Sequence, residues 1–207
     1  ASDVYKRQVL SLTGAYGAHG VPISRAAQMG VEHVNEARKQ LGVGCELVYD
    51  VRDSNTQASV AVDAARKLID IEGVTALVGP ISSGITAPLL SSVTVEKNVV
   101  VVATASTSST FTNMGKRGET KGLFFRTLPA DALQAVAAAI MAYNAGFRRP
   151  SILYWNNDWG KNNKTEFVEA FEALGGEIAQ TVPFNPDQAS YRAEITKSCL
   201  LYTSPSP

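Results

Sequence analysis

The chain has 207 residues, of which 19 are basic and 19 acidic, so it carries no formal net charge at pH 7. With 45% hydrophobic residues it can bury a sizeable core, yet no apolar stretch reaches the roughly 20 residues needed to cross a membrane. The even charge, without a basic run, argues against a nucleic-acid surface, which needs a basic stripe or patch.

The two ends stand apart from the patterned middle. The segment from Asp3 to Gln8 can be encoded as GAT GTG TAT AAG AGA CAG, and that from Cys199 to Ser204 as TGT CTC TTA TAC ACA TCT. With an A closing the Ser2 codon and a C closing the Ser198 codon, these are reverse complements. Chance is a poor explanation, and both tails read as translated adapter sequence from DNA library preparation. Residues 1–8 and 199–207 are therefore set aside, and residues 9–198 are expected to be an internal fragment. The lack of a visible signal peptide then carries no information. Cys199 falls in a tail, which leaves Cys45 as the single cysteine of the middle, too few for an internal disulfide or a metal cluster.

In chain order, Val9-Leu10-Ser11-Leu12 ends a first strand. A helix follows from about Ile23, with Ala27, Val31 and Val34 at helical spacing. Cys45 to Val51 reads as a strand, and Gln57 to Asp70 as a helix with Ala61, Ala65 and Leu68 on one face. Thr75 to Gly79 is a strand, Ile85 to Glu96 a helix, and Val99 to Ala103 an apolar run that suits a strand buried on both faces. Ser106 to Leu123 is polar, lacks periodicity and interrupts the rhythm. Phe124-Phe125-Arg126 is a short strand, Asp131 to Tyr143 a helix, Ser151 to Trp155 a strand, Lys161 to Leu174 a helix and Glu177 to Phe184 a strand. Tyr191 opens a last helix. Such alternation predicts an α/β fold with mostly parallel sheets covered on both faces. The first sheet is placed in residues 9–122 and an incomplete second in 123–198.

Ligands of open α/β sheets bind at the carboxyl ends of strands. The segments there are TGAYGAHG (Thr13 to Gly20), PISSG after the third strand, TASTSST (Thr104 to Thr110) and NNDWGKN (Asn156 to Asn162). The second and third offer hydroxyls and amides without a fixed cation, which suits a carboxylate better than a polyphosphate. Ser83 could equally cap its own helix. Pro88, without an N–H, is consistent with a loosened helix start. TGAYGAHG comes close to the TGxxxGxG turn of short-chain dehydrogenases but has Ala18 where that pattern needs glycine, and no YxxxK pair lies in the middle region. No Walker A or HExxH sequence is present. His33 lies within a helix pattern, whereas His19 is in the candidate site region. Tyr154 and Trp155 read as packing residues. Trp159, at a loop tip beside Gly160, has no evident core role and is placed to close over a ligand. Asp158 is placed to cap the next helix or to meet a ligand ammonium.

With these residues in view, the chain resembles the type I periplasmic ligand-binding proteins of branched-chain amino acid ABC transporters. The resemblance runs through SLTGAYGAHG, AAQMGVEHVN, AVDAARKLID followed by VTALVGPISSG, FFRTLPADALQA and LYWNNDWG. It implies two Rossmann-like lobes with parallel sheets, the second truncated here, which close about a hinge on a small ligand. It implies that Ser83 and the loop Ser106, Thr107 and Ser108 hold the ligand's α-carboxylate. The opening loop would contribute through Tyr16 and His19, and the second lobe through Trp159. The acidic partner of the ammonium would lie further along the chain. A binding protein of this kind needs no catalytic residue, metal or cofactor. Its partners would be an amino acid or similar solute and an ABC permease, with no nucleic acid, and it would be a monomer. Its location would be periplasmic, or extracellular and lipid-anchored. A sensor on the same fold, as a receptor ectodomain or the effector core of a transcription regulator, is the alternative.

Overall fold

The computed structural model describes residues 4–44, 46–186 and 188–199. The single-cysteine argument about Cys45 lies outside the described residues. The chain divides into two compact units. The first runs through Thr107 and again from Phe111 to Pro129; the second takes Ser108–Thr110 and the described residues from Ala130 on.

The first unit is built on a five-stranded, fully parallel sheet in the order β2-β1-β3-β4-β5. Its strands are β1 (Val4–Leu10), β2 (Leu47–Asp53), β3 (Ala76–Val78), β4 (Val100–Ala103) and β5 (Phe124–Arg126). The helices between them are α1 (Gly17–Gln40), α2 (Ala58–Asp70), α3 (Ser83–Leu89) and α4 (Ser109–Lys116). The α/β fold with parallel strands is thus as expected.

One core forms where α2 and α3 cover the sheet. Ala61, Ala65 and Leu68, the predicted face of α2, are fully buried against Val9, Leu77, Ile85, Leu89 and Val99. Two alanines on that face let the helix sit close, and Leu68 alone contributes about 1.5–3 kcal/mol by its burial. A second cluster gathers Leu90, Val101 and Phe111, with Phe124 packed against it. The Phe111 and Phe124 rings stand 4.8 Å apart.

Several boundaries differ from the sequence reading. β1 begins at Val4, inside the segment set aside as foreign, and Val4–Leu10 pairs residue for residue with Leu47–Asp53. Arg7 is buried there and forms ion pairs with Asp50 (2.5 Å) and Glu72. α1 begins at Gly17, six residues before Ile23, and takes Pro22 into its second turn. Val31 is buried as expected, but Val34 is 39% exposed. Its neighbour Asn35 turns inward and bonds both backbone groups of Leu47, at 2.8 Å each, which fixes the start of β2. The unperiodic stretch after Ser106 contains α4, held by Phe111 as its one buried residue. The second sheet does not begin near Phe124: β5 pairs with β4 through Val101, Val102 and Ala103, so it closes the first sheet.

The second unit holds a two-stranded parallel sheet of β6 (Ser151–Trp155) and β7 (Gln180–Phe184) with α5 (Ala132–Asn144), α6 (Asp158–Ala173) and α7 (Arg192–Cys199). Phe171 is its buried anchor, stacked on Phe167 at 5.5 Å and met edge-on by Tyr143 at 5.9 Å. α6 starts at Asp158, three residues before the expected Lys161.

Candidate functional site

In the first unit the site region lies at the carboxyl ends of the strands. The chain leaves β3 through Gly79, at φ +101°, and a Cβ there would stand 2.2 Å from the Val9 carbonyl oxygen. Only glycine fits so close to the neighbouring strand. The Gly79 amide donates to the Val102 carbonyl (2.9 Å), so the corner is tied on both sides. Ser82 and Ser83 follow and are both buried. The N-cap position of α3 falls on Ser82, which makes no side-chain capping bond. Ser83 is the first residue of the helix, so the simple capping role weighed for it belongs to another position. Pro88 lies inside α3, and a π-helical turn follows at Leu90–Thr94. Wide turns of this kind recur near functional sites.

Ser106 is fully buried, and its hydroxyl is engaged within the protein. It shares a 2.6 Å hydrogen bond with the Thr86 hydroxyl and faces the carbonyls of Pro80 (3.2 Å) and Ile81 (3.3 Å). Thr86 also donates to the Ser82 carbonyl at 3.1 Å. The two serine-rich corners are thereby joined: β3's corner and β4's loop share one buried hydroxyl pair. Thr107, also buried, continues that loop. Ser108 is buried and groups with the second unit, where its hydroxyl accepts from the Thr110 amide at 3.2 Å.

Tyr16 closes a 3₁₀ turn, Gly14–Tyr16. It is half-buried, and loss of hydration raises its phenol pKa. Its ring meets that of His19 edge-on at 6.1 Å. His19 is exposed in the first turn of α1, not in a loop. His33 is exposed on the same helix. α1 crosses the end of β1 so closely that a Cβ on Gly20 would stand 1.7 Å from the Ser11 carbonyl oxygen.

In the second unit, Trp159 is the second residue of α6, and its indole N–H donates to Asp131 at 2.7 Å. Asn157, not Asp158, caps the helix by accepting from the Gly160 amide at 2.8 Å. Asp158 accepts from the Thr110 hydroxyl at 3.0 Å, and Asn162 donates to that same hydroxyl at 2.8 Å. A cavity of about 310 Å³ lies beside Trp159, lined by Tyr154, Trp155, Lys164, Phe167 and Phe184. Tyr154 and Trp155 are half-buried and face this space.

Three contributors escaped the sequence reading: Thr86, Asp131 and the segment Asp53 to Thr56. Thr86 lies one helical turn after Ser83, a spacing that puts both on one side of α3. Asp53 to Thr56 follows β2, and the strand-end rule that collected the other loops applies to it equally. Asp131 gave no local signal beyond its place before a helix. Among the described residues no group of three or more His, Cys, Asp or Glu is placed to hold a metal, and no helix is long and apolar enough to cross a membrane.

The sequence profile of the periplasmic binding protein family matches residues 8–198. The chain belongs to that family. It is 30% identical over 197 residues to the Leu/Ile/Val-binding protein BraC3 of Rhizobium johnstonii, covering 95% of this chain and 51% of BraC3. It is 29% identical to the chemotactic signal transduction system substrate-binding protein BasB of Halobacterium salinarum, covering 84% of this chain and 41% of BasB. The crystal structure of the leucine-binding protein LivK of Thermotoga maritima superposes with a TM-score of 0.75 at 24% identity, over 96% of this chain and 54% of LivK. The chain spans about half the length of the curated relatives it matches.

Proposed function

We propose that this chain is part of the substrate-binding component of an ABC importer. It binds an amino acid or a related small polar carboxylate outside the cytoplasmic membrane, in the periplasm or on a lipid-anchored protein, and hands it unchanged to a permease. The observation that carries this is the pair of buried, hydroxyl-rich corners at the ends of β3 and β4 in a chain of the periplasmic binding protein family. Small residues and hydroxyls there bring donors to an anion without a fixed cation, which suits a single carboxylate. In this proposal Ser83 with the loop Ser106, Thr107 and Ser108 takes the carboxylate, Tyr16 and His19 border it, and Trp159 meets the rest of the ligand. Binding and release need no nucleophile or general base. They need a ligand that favours the closed state by a few kcal/mol.

Isothermal titration of the full-length protein with the L-amino acids and benzoate tests this. Saturable binding of at least one, with leucine, isoleucine and valine first in order, is expected. No binding to any of them overturns the proposal. The resemblance to BasB favours a second reading, in which the same binding step feeds a signalling partner. Capture of a permease or of a signal transducer by the ligand-loaded protein separates the two.

A further inference from the structure

The turn after β2 is strained, yet it is also the densest hydrogen-bonded knot at that end of the first sheet. Asn55 and Thr56 both sit in the left-handed region, at φ +48° and +54°. That region is unfavourable for any residue with a side chain, and a β-branched threonine there is an outlier. Such strain persists only where surrounding contacts over-determine it, and it concentrates at sites with a task.

Apart from one bond inside the turn, the contacts that hold it reach one neighbour, the opening loop. The Asp53 carboxylate accepts from the Leu12 amide (2.8 Å), the Thr13 amide (3.2 Å), the Thr13 hydroxyl (2.5 Å) and the Asn55 amide (2.8 Å). The Thr56 hydroxyl donates to the Thr13 carbonyl at 2.9 Å and accepts from the Tyr16 amide at 3.1 Å. Below them the Ser11 and Ser54 hydroxyls are bonded at 2.9 Å, fully buried, and the Ser54 amide donates to the Leu10 carbonyl at 2.8 Å. A Cβ on Gly14 would stand 2.6 Å from the Asn55 carbonyl oxygen, so the two loops are pressed together. The loop held this way carries Tyr16 and leads directly into His19.

We infer that Asp53 and Thr56 are positioning residues for ligand binding: from a turn strained at Asn55 and Thr56 they fix the opening loop, and with it Tyr16 and His19, in the conformation that meets the ligand. This rests on the binding function proposed above. A loop ordered before the ligand arrives spares the cost of ordering it on binding. Thr56 is the informative member. Its hydroxyl joins both ends of the opening turn, and its β-branched side chain is the source of the strain.

Glycine at position 56 relieves the strain, but it makes the unfolded chain more flexible and removes the two bonds of the hydroxyl. Thr56→Gly, Thr56→Ser and Asp53→Ala are compared with wild type in the full-length protein by thermal melting and by titration with the twenty L-amino acids and benzoate. For Thr56→Gly the relief of strain offsets part of those losses, so a Tm lower by no more than about 4 °C is expected, with the dissociation constant of the bound amino acid raised about tenfold by loss of two hydrogen bonds. Thr56→Ser keeps the hydroxyl and is expected to restore affinity to within about threefold. Asp53→Ala, the second arm should Thr56→Gly fail to fold, is expected to raise the constant by at least about tenfold. Wild-type affinity in Thr56→Gly or Asp53→Ala overturns the inference. So does a loss in Thr56→Ser as large as in Thr56→Gly, or a weaker affinity that partial unfolding at the titration temperature accounts for. If wild type itself binds none of the probes, the proposed binding function fails and the inference falls with it; if wild type binds and the variants bind equally, the inference alone fails.

Discussion

Ser106→Ala measures how much the joined corners depend on one hydroxyl. Ser106 has no exposed surface, and its Oγ has three oxygen neighbours: Thr86 Oγ1 at 2.6 Å and the Pro80 and Ile81 carbonyls at 3.2 and 3.3 Å. A hydroxyl has one proton. Thr86 gives its proton to the Ser82 carbonyl, so the Ser106 proton goes to Thr86 Oγ1 and the two carbonyls are only neighbours of its Oγ. Removing the Ser106 hydroxyl deletes one hydrogen bond net and leaves Thr86 Oγ1 a buried partner short, at a cost of about 1–3 kcal/mol. Thr86 retains its bond to the Ser82 carbonyl, which limits the damage. The expected loss is about 1–3 kcal/mol, or a Tm lower by about 2–12 °C for a domain of this size.

Urea melts of the full-length protein provide the assay, with a lower midpoint at unchanged slope as the expected pattern. A double-mutant cycle with Thr86→Val then isolates the pair. Partners in direct contact couple by about 0.5–3 kcal/mol, whereas independent sites add to within about 0.3–0.5 kcal/mol. Additive losses would show that the two hydroxyls do not act together. A wild-type melt for Ser106→Ala would refute the reasoning outright.

Ser83→Ala, at the other side of the same corner, is expected to weaken amino-acid binding by about 1–3 kcal/mol in titration calorimetry, the cost of a lost buried polar partner; an unchanged constant removes Ser83 from the site. Gly20→Ala places a methyl 1.7 Å from the Ser11 carbonyl oxygen and is expected to cost more than about 4 kcal/mol in denaturant melts. Gly30→Ala, on the same helix with nothing within 4 Å, is expected to gain about 0.5–1 kcal/mol. Partial desolvation pushes the Asp53 carboxyl up, but bonds from the Thr13 hydroxyl and the Asn55, Leu12 and Thr13 amides together hold it below its usual value. A lowered folded-state pKa adds stability above the unfolded value of about 3.9 and loses it as pH falls through the folded value. The stability gap between wild type and Asp53→Asn should therefore be flat near neutrality and close below about pH 4; a gap that widens in acid contradicts this.

What could be read from the sequence was whatever a local period or a strand end determines. The α2 face of Ala61, Ala65 and Leu68 is such a case: three residues at helical spacing, all fully buried. The strand-end rule led to Ser83, Ser106 and Thr107, which lie buried at the carboxyl ends of β3 and β4. What escaped depends on partners far along the chain. β5 is three residues long, and its membership of the first sheet is decided by pairing with β4, more than twenty residues earlier. α4 is polar apart from Phe111 and Met114, and Phe111 becomes an anchor only when Phe124 is beside it. Val34 had the right spacing to be buried, but the neighbouring Asn35 could satisfy two backbone groups at the start of β2, and that set the helix's rotation. The Thr86–Ser106 bond joins residues twenty apart, and no local pattern links their hydroxyls.

The same local device occurs in both units. In each, the helix after the unit's first strand crosses that strand's end so closely that a single methyl would not fit. The Gly20 position lies against the Ser11 carbonyl and the Gly160 position against that of Trp155, 1.7 and 2.1 Å from an added Cβ. In each, a candidate ligand-facing aromatic is carried beside that contact: Tyr16 before Gly20, Trp159 directly before Gly160. Each also has a polar tether from another element. The Tyr16 amide is held by Thr56 and the Trp159 indole by Asp131. A glycine contact fixes where the helix starts, and the tether fixes what the aromatic residue presents, so together they supply the support that a preorganised site requires. Within each unit a small residue at the crossing thus supports a proposed binding residue without having to touch a ligand: widening the contact would move the aromatic residue beside it.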